Sequence, residues 1–388
     1  MRVGFDISQT GRGKAGCGYY AFGLIQALEA ADRRNRYILY PAVGDLFWDP
    51  ECAHATFAPS KANFERFPAP VDFDASRQFW LDSRPGFEER IGRPDVFHAN
   101  NFFCPWGFKK ARLVYTLHDL SFLKEPRWST EANRIGCLQG VFKASVGADW
   151  IMANSEFSRL DFLKTFPHYP KERTSVVYPA SRYRMGGTSI RPAIDGLEPG
   201  KYWLSVGTIE PRKNYAALLD AYRILRRQRP VTAPLVVCGG KGWLMEDWQR
   251  DLEGLMPGKD VIATGYLADA ELTWLFENCF AFVYPSLFEG FGMPVLEALS
   301  LGAPVLCSNA TSLPEVAADA ALYFDPRSPE SIASTMALVA GNDGERSRLR
   351  TAGPARAALF SWDASAAQLI ELYARVAALP RYGEPNGG

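Results

Sequence analysis

Two stretches of this chain hold residue types at spacings that could do chemistry. The first runs from Tyr284 to Ala298 and carries Glu289 and Glu297 around Gly290, Gly292 and Pro294. Pro294 suits the first turn of a helix, and the apolar run before Tyr284 reads as a strand. Backbone N–H groups and the positive helix end would then favour an anion such as a pyrophosphate above the loop. Gly290 and Gly292 let the backbone come close. The two carboxylates suit hydroxyl groups of a sugar or ribose better than phosphate. The same spacing also suits an ordinary strand-to-helix turn with one capping acid and one surface acid.

The second stretch is Val206-Gly207-Thr208-Ile209-Glu210-Pro211-Arg212-Lys213-Asn214. Adjacent Arg212 and Lys213 at a strand-to-helix loop can place a bidentate fork and a point charge on a diphosphate. Solvated bases are the alternative, but cations at a helix start oppose its dipole. His118 follows an apolar run beside Asp119, where a neutral imidazole could donate to a sugar hydroxyl or a carbonyl. His54, His98 and His168 share no metal-ligand spacing and are given no role. Asp72-Phe73-Asp74 has a two-acid metal-binding spacing but falls in a poorly periodic segment, read as a loop.

The elements that must position these residues form two α/β series. In the first, strands are expected at Arg2–Ile7, Tyr37–Tyr40, Val96–Ala99, Leu113–Leu117, Trp150–Ala153 and Ser175–Val177. A glycine loop (Gly11, Gly13, Gly16, Gly18) follows the first strand and leads to a helix near Tyr20–Ala31. Residues 181–200, with Pro192 and Pro199, read as a linker. In the second series strands are expected at Trp203–Val206, Leu235–Cys238, Ile262–Thr264, Phe280–Tyr284 and Val305–Ser308. Helices are expected at Tyr215–Arg229, from Pro294 onward, and at Ala364–Ala378. The organisation is therefore an N-terminal domain over 1–185, a C-terminal domain over 201–360 and a terminal segment over 361–388. Two doubly wound halves imply a cleft in which ligands collect at the strands' carboxyl ends.

The 388 residues carry 43 basic and 43 acidic side chains, which gives no electrostatic case for nucleic acid. Residues 1–185 hold 25 Lys and Arg against 20 Asp and Glu, so the first half is the basic one. Basic and aromatic residues interleave at Trp106–Arg112 and Lys124–Trp128, and Arg33-Arg34-Asn35-Arg36 adds a third basic run. Such segments either form a solvated face or dock on an anionic membrane surface. No apolar run approaches a membrane span, an acid at position 6 argues against a signal peptide, and the 7 cysteines lack any C-x-x-C pair. A cytoplasmic protein, peripheral at the inner face of the membrane, is the expectation.

The two glutamates with seven residues between them, the Gly-Thr-Ile-Glu-Pro-Arg-Lys-Asn loop at 207–214 and the glycine loop at 11–18 resemble retaining glycosyltransferases of family 4. Thr116-Leu117-His118-Asp119-Leu120, Ala153-Asn154-Ser155-Glu156-Phe157-Ser158 and Gly302-Ala303-Pro304-Val305 extend the resemblance over nearly the whole chain. Within the family the chain is most similar to bacterial mannosyltransferase-type enzymes of surface-polysaccharide assembly.

The resemblance implies the GT-B architecture: two Rossmann-like domains facing a cleft, with the last helix returning to the N-terminal domain. It implies a nucleotide-sugar donor, GDP-mannose before UDP-hexoses, a glycan or lipid-linked acceptor, and no cofactor or metal. Arg212 and Lys213 would bind the diphosphate, Glu289 would lie near the donor sugar with Phe291, Gly292 and Met293 offering backbone N–H groups, and Glu297 would lie on the ribose. Gly207 belongs to the same donor loop, and Gly239-Gly240-Lys241 and Gly265-Tyr266-Leu267 would flank the base. Gly16 and Gly18 would close over phosphate and acceptor, and His118 would hydrogen-bond the donor sugar. Asn100, Asn101 and Asp119 would lie on the acceptor side. The first loop is longer and more basic than the family's usual one, with Lys14 expected to be exposed. A nucleotide-sugar 2-epimerase, a phosphorylase and a non-catalytic scaffold are the other uses of such a fold.

Overall fold

A computed structural model describes residues 1–383 apart from 12–13, 15, 45–54, 69–72, 82–85, 230–232, 241 and 243–259. Contacts divide the chain into two compact units, one of Met1–Leu123, Glu131–Pro179 and Ser361–Gly388, the other of Lys124–Thr130 and Ala180–Phe360.

The first unit is built on strands β1 (Arg2–Asp6), β2 (Arg36–Tyr40), β3 (Phe64–Arg66), β4 (Val96–Ala99), β5 (Arg112–Leu117), β6 (Trp150–Ala153) and β7 (Thr174–Val176). Among the described residues they form one parallel sheet in the order β3-β2-β1-β4-β5-β6-β7. The strand order reverses between β1 and β4, and the loops leaving their carboxyl ends therefore part to leave a binding position. Helix α1 (Gly16–Ala31) follows β1, α2 (Phe73–Leu81) precedes β4, and α3 (Glu131–Gly147) and α4 (Glu156–Thr165) flank β6. Ser155 caps α4 by accepting from the Ser158 N–H.

In the second unit β8 (Trp203–Val206), β9 (Leu235–Cys238), β10 (Val261–Gly265), β11 (Ala281–Tyr284), β12 (Val305–Ser308) and β13 (Ala321–Phe324) form a parallel sheet in the order β10-β9-β8-β11-β12-β13. Here the order reverses between β8 and β11, which pair directly through Ala281–Trp203 and Phe282–Leu204. Helix α5 (Tyr215–Gln228) buries Leu218, Leu219, Tyr222 and Leu225 at helical spacing against this sheet. Helix α6 (Asp269–Asn278) precedes β11, and α7 (Met293–Ser300) follows it.

The last helix, α8 (Trp362–Ala378), packs beside α1 in the first unit. Leu369, Leu372, Tyr373 and Val376 join a core with Val3, Phe5, Leu24 and Leu28. Gly23 of α1 lies so close to the Trp362 ring that a Cβ there would stand 2.3 Å from it.

Several expectations change. The edge strands β3 and β13 have no strong pattern in the sequence, because a short edge strand needs neither alternation nor a long apolar run. Phe73 and Asp74, expected in a loop, instead begin α2, with Asp74 exposed in its first turn. Asp72 and His54 lie outside the described residues. The segment expected as a linker is held by the second unit: Arg182 and Tyr183 both bond Asp269, and the Ile190 N–H donates to the Ala270 carbonyl. Among the described residues no helix is long and apolar enough to cross a membrane.

Candidate active site

The loops after β8 and β11 meet at the point where the second sheet reverses. The Leu287 N–H donates to the Arg212 carbonyl at 2.9 Å and joins them. Lys213 extends into the loop after β11, where its Nζ donates to Glu289 Oε1 at 2.6 Å and to the Tyr284 hydroxyl at 2.7 Å. Arg212 donates from Nη2 to Glu210 Oε1 at 2.6 Å and from Nη1 to the Phe288 carbonyl at 2.6 Å. Its Nη1 also stands 3.2 Å from Glu289 Oε2.

Glu289 is thus the hub. Its Oε1 also accepts from Ser286 Oγ at 2.6 Å and from the Tyr284 hydroxyl at 2.8 Å. Its backbone is pinned too: the N–H donates to Thr311 Oγ1, and the carbonyl accepts from Ser312 Oγ. Burial pushes this carboxyl's pKa up, but the Lys213 and Arg212 charges and the bonds from Lys213 and Ser286 outweigh it and hold the group at about 2. Two residues other than glycine adopt left-handed backbone around this cluster, Asn214 at φ 61 and Thr311 at φ 57. Asn214 is fixed by side-chain bonds to the Pro285 and Pro326 carbonyls. A branched residue such as Thr311 is strained there, and such strain persists where neighbours over-determine the position.

Helix α7 starts beside the cluster with Gly292 at φ 100, Pro294 in the first turn and no side-chain cap. A Cβ on Gly292 would meet Leu313 at 2.4 Å, so the position requires glycine for space as well as for backbone angle. Gly292 and Phe291 are buried, Met293 is half-buried, and the Phe291 ring packs edge-on against Phe360. Glu297 lies one turn further along α7, buried, with Oε1 accepting from Arg182 Nε at 2.8 Å. Burial raises its pKa while Arg182 opposes the rise. Arg182 Nη1 also reaches Asp269 Oδ1 at 3.0 Å, and the guanidinium lies over the Tyr183 ring. Sequence reasoning missed Arg182, which stands in a segment that reads as linker, and it missed Glu210, Tyr284 and Ser286 as supports.

The remaining residues expected on the donor side divide. The Gly207 carbonyl accepts from the Tyr215 hydroxyl at 2.9 Å, and a Cβ on Gly239 would stand 1.9 Å from that same carbonyl oxygen. The loops after β8 and β9 therefore touch. Gly265 and Tyr266 are exposed at the end of β10, with Leu267 half-buried, so the Tyr266 ring is open to a flat partner. Lys241 lies outside the described residues.

In the first unit, uncharged side chains at the carboxyl ends of β4 and β5 form a buried chain that reaches Tyr373 of α8. Thr116 Oγ1 donates to Asn100 Oδ1 at 2.8 Å, so the bond between Thr116 Oγ1 and His98 Nε2 must have the histidine as donor. His98 Nδ1 then accepts from the Tyr373 hydroxyl at 2.6 Å. Burial, with His118 nearby, holds His98 neutral by lowering its pKa to about 3. His118 Nε2 lies 2.7 Å from the Asn100 carbonyl, which can only accept. Its donor is therefore spent on the backbone, and in the neutral ring Nδ1 is left as an acceptor. The expectation of a donating imidazole is corrected to that extent. Burial lowers the pKa of His118 as well, which keeps the ring neutral.

Asn100 and Asn101, expected on the acceptor side, are fully buried and structural. Asn100 donates to Asp6 twice, from its N–H to Oδ2 and from Nδ2 to the backbone carbonyl, and Asn101 Nδ2 donates to Ser8 Oγ and the Val43 carbonyl. Asp6, buried at the end of β1, has its pKa raised to about 6 by desolvation, against bonds from Ser8, Asn100 and Asn101. Asp119 is half-buried and accepts from the Ser121 N–H. Gly16 and Gly18 lie in the first turn of α1 and not in a loop. Gly16 is exposed with open space around it. Gly18 is buried where a Cβ would stand 2.2 Å from the Gln9 carbonyl oxygen, so it serves close packing. Lys14 is half-buried: it bonds the Gly11 carbonyl and lies over the Tyr19 and Phe22 rings.

Comparison with known proteins agrees with this geometry. Residues 16–180 match the family described as Glycosyltransferase Family 4, and residues 189–356 match Glycosyl transferases group 1. The O-antigen chain mannosyltransferase B of Escherichia coli is 34% identical over 287 residues, 72% of this chain and 74% of that protein. The serotype-specific mannosyltransferase WbdA of Escherichia coli is 36% identical over 180 residues, 46% of this chain and 22% of that protein. Among solved structures, WaaG, a glycosyltransferase involved in lipopolysaccharide biosynthesis, has a TM-score of 0.68 at 16% identity over 95% of this chain and 99% of its own. Anabaena HepE, in complex with UDP and glucose, has a TM-score of 0.69 at 18% identity over 97% of this chain and 100% of its own. The chain therefore belongs to the family 4, group 1 glycosyltransferases, with the GT-B pair of Rossmann-like domains.

Proposed function

We propose that this glycosyltransferase moves mannose from GDP-mannose to a glycan or lipid-linked acceptor of a cell-surface polysaccharide, with retention at the anomeric carbon, at the cytoplasmic side of the membrane. The observation that carries the reading is the Lys213–Glu289–Arg212 cluster at the carboxyl ends of β8 and β11, beside the uncapped start of α7. Mannose and the surface polysaccharide are supported by the printed activities of the Escherichia coli relatives.

In this reading two cations and a helix dipole converge where the bond from the sugar carbon to the diphosphate breaks. Charge builds on the leaving oxygen, and Arg212 and Lys213 stabilise it without reorganising, because Glu289, Glu210 and Tyr284 already fix their positions. Glu289 then plays two parts: it holds the cations in place and presents its carboxylate to sugar hydroxyls. The acceptor oxygen bonds to the anomeric carbon on the face the diphosphate leaves, and its proton passes to the departing phosphate oxygen. No strong protein base is needed. His118, neutral and with Nδ1 as acceptor, orients a donor hydroxyl. The diphosphate charge is met by these side chains without a resident metal, so chelation leaves transfer intact.

The test is incubation of the full chain with GDP-mannose and a mannose oligosaccharide, followed by carbon–proton coupling at the new anomeric centre. An α-linked product from the α-linked donor supports the reading. An inverted product, transfer only from a UDP-sugar, or a 2-epimer with no transfer would overturn it.

A further inference from the structure

Outside the transfer site the most unusual feature of the first unit is α3, which has an apolar face on each side. Its inner face is fixed: Cys137, Gly140, Val141 and Ala144 are buried, and a Cβ on Gly140 would stand 1.6 Å from the Phe102 carbonyl oxygen. The helix can neither roll nor lift without breaking that fit. Its outer face should then be polar. Instead, every exposed position except Glu131 and Gln139 is apolar: Ala132, Ile135, Leu138, Phe142 and Val146. Ile135, Leu138, Phe142 and Val146 are 48%, 43%, 55% and 39% exposed, and their spacing of three and four places them in one stripe about 16 Å long.

The stripe continues onto its neighbours. Trp106, 53% exposed, lies against Gly147 at the end of α3, and Leu81 of α2 is 51% exposed. With Phe142, Val146 and Trp80 these two line an open hollow of about 310 Å³, and Lys143 stands at its wall. A smaller adjoining hollow brings Arg77 of α2 to Lys143. Cations border the apolar surface: Arg134 and Lys143 flank the stripe on α3, Arg77 lies on α2, and exposed Lys109 and Lys110 follow Trp106. The acids of the two helices are Asp74 and Glu131, one at each N-terminal turn. Glu88, beneath the lysines, is occupied by the N–H groups of Lys109, Lys110 and Ala111.

We infer that this face of α3, extended by Leu81 and Trp106, is the surface on which the protein lies in an anionic lipid bilayer. An apolar stripe parallel to the surface, Trp106 at one end and a basic border match the layered chemistry of acyl chains, interface and anionic headgroups. A second copy of the chain is the poorer occupant, because a twofold contact would bring two basic borders together. The other basic segments are used differently: Arg127 is paired with Glu125, Trp128 packs against Phe288 in the second unit, and Arg33 bonds the Glu29 carbonyl.

The experiment is co-sedimentation of the full chain with phosphatidylcholine vesicles, with and without phosphatidylglycerol, at low and high salt. Expected is binding that requires the anionic lipid and weakens as salt rises. The double substitution Ile135→Ser, Phe142→Ser should lower the partition coefficient about tenfold or more, because both side chains lose apolar burial. Arg77→Glu with Lys143→Glu should remove the anionic preference, and Leu338→Ser, an exposed leucine of the second unit, should change nothing. Unfolding midpoints of all variants separate lost folding from lost docking. Absence of binding at low salt would overturn the inference, as would equal binding by the wild type and both double variants. A concentration-dependent dimer dissolved by the serine substitutions, without vesicle binding, would reassign the face to a second copy.

Discussion

The loop cluster of the second unit and the buried chain of the first solve the same problem with opposite means. Both sit where a parallel sheet reverses its strand order, and both must hold a few polar side chains still. The second unit uses charge: Glu289 is clamped between Lys213 and Arg212. The first uses neutral hydrogen bonds, running from Tyr373 through His98 and Thr116 to Asn100, with His118 on the Asn100 carbonyl. On the proposed function, charge suits a seat for a diphosphate, because the cations are already in position before the ligand arrives. On the same reading, neutral bonds suit side chains that only orient hydroxyl groups, and the neighbouring Asp6 carboxyl is met by the Asn100 and Ser8 N–H groups.

The largest expected effect breaks the charged cluster. Lys213→Ala should lower kcat/KM by roughly 10³-fold, since one preorganised donor to a developing negative charge commonly accounts for that much. It also leaves Glu289 partly unpaired, so urea unfolding should show a loss of roughly 3 kcal/mol. Transfer within tenfold of the wild type would place the diphosphate elsewhere.

Glu289→Gln should lower kcat/KM by roughly 10²-fold while the fold persists. Its stability deficit should depend on pH in a definite direction. The folded Glu289 carboxyl is depressed to about 2, so its contribution is present above the ordinary carboxylate range and fades as pH falls from there toward about 2. The gap between wild type and variant in urea should therefore narrow below about pH 4.5. A gap that widened on acidification would contradict the ion-pair account.

Arg182→Met should weaken nucleotide binding about tenfold, through the orientation of Glu297. If Glu297 meets the ribose, the same variant should lose discrimination against the 2′-deoxynucleotide. Unchanged discrimination would leave Arg182 a purely structural partner of α7.

The smallest effect sharpens the contrast. Tyr373→Phe removes one neutral bond and leaves His98 Nδ1 without its donor, at about 1–2 kcal/mol of stability. Transfer by that variant should stay within a few-fold of wild type, and a loss comparable to Lys213→Ala would mean that the first unit's network is as deeply involved as the charged cluster.

The same contrast explains what could be read in advance. The second unit's site is written in two short segments, and adjacent Arg and Lys after one strand with two glutamates around glycines after another are legible because charge and spacing lie within a few residues. The central strands were legible too, as short apolar runs bounded by turn residues. The first unit's network was not, because His98 and Tyr373 are 275 residues apart and only the return of α8 joins them. Asn100 and Asn101 looked like ligand-facing residues because polar side chains after a strand usually are. Here the neighbouring Asp6, Ser8 and Thr116 absorb them. Arg182 was hidden by its surroundings, since proline and glycine nearby signal a linker whatever one side chain reaches. The outer stripe of α3 was hidden by its inner one, because two apolar faces together erase the periodicity that marks either.

The central claim, that Arg212 and Lys213 form the seat of a nucleoside diphosphate, is most directly tested by calorimetric titration of GDP into the full chain and into Arg212→Ala, without added metal. Saturable binding by the wild type, weakened at least about a hundredfold in the variant, is the expected result. Equal affinity in both proteins would contradict it, because the diphosphate would then rest on other residues.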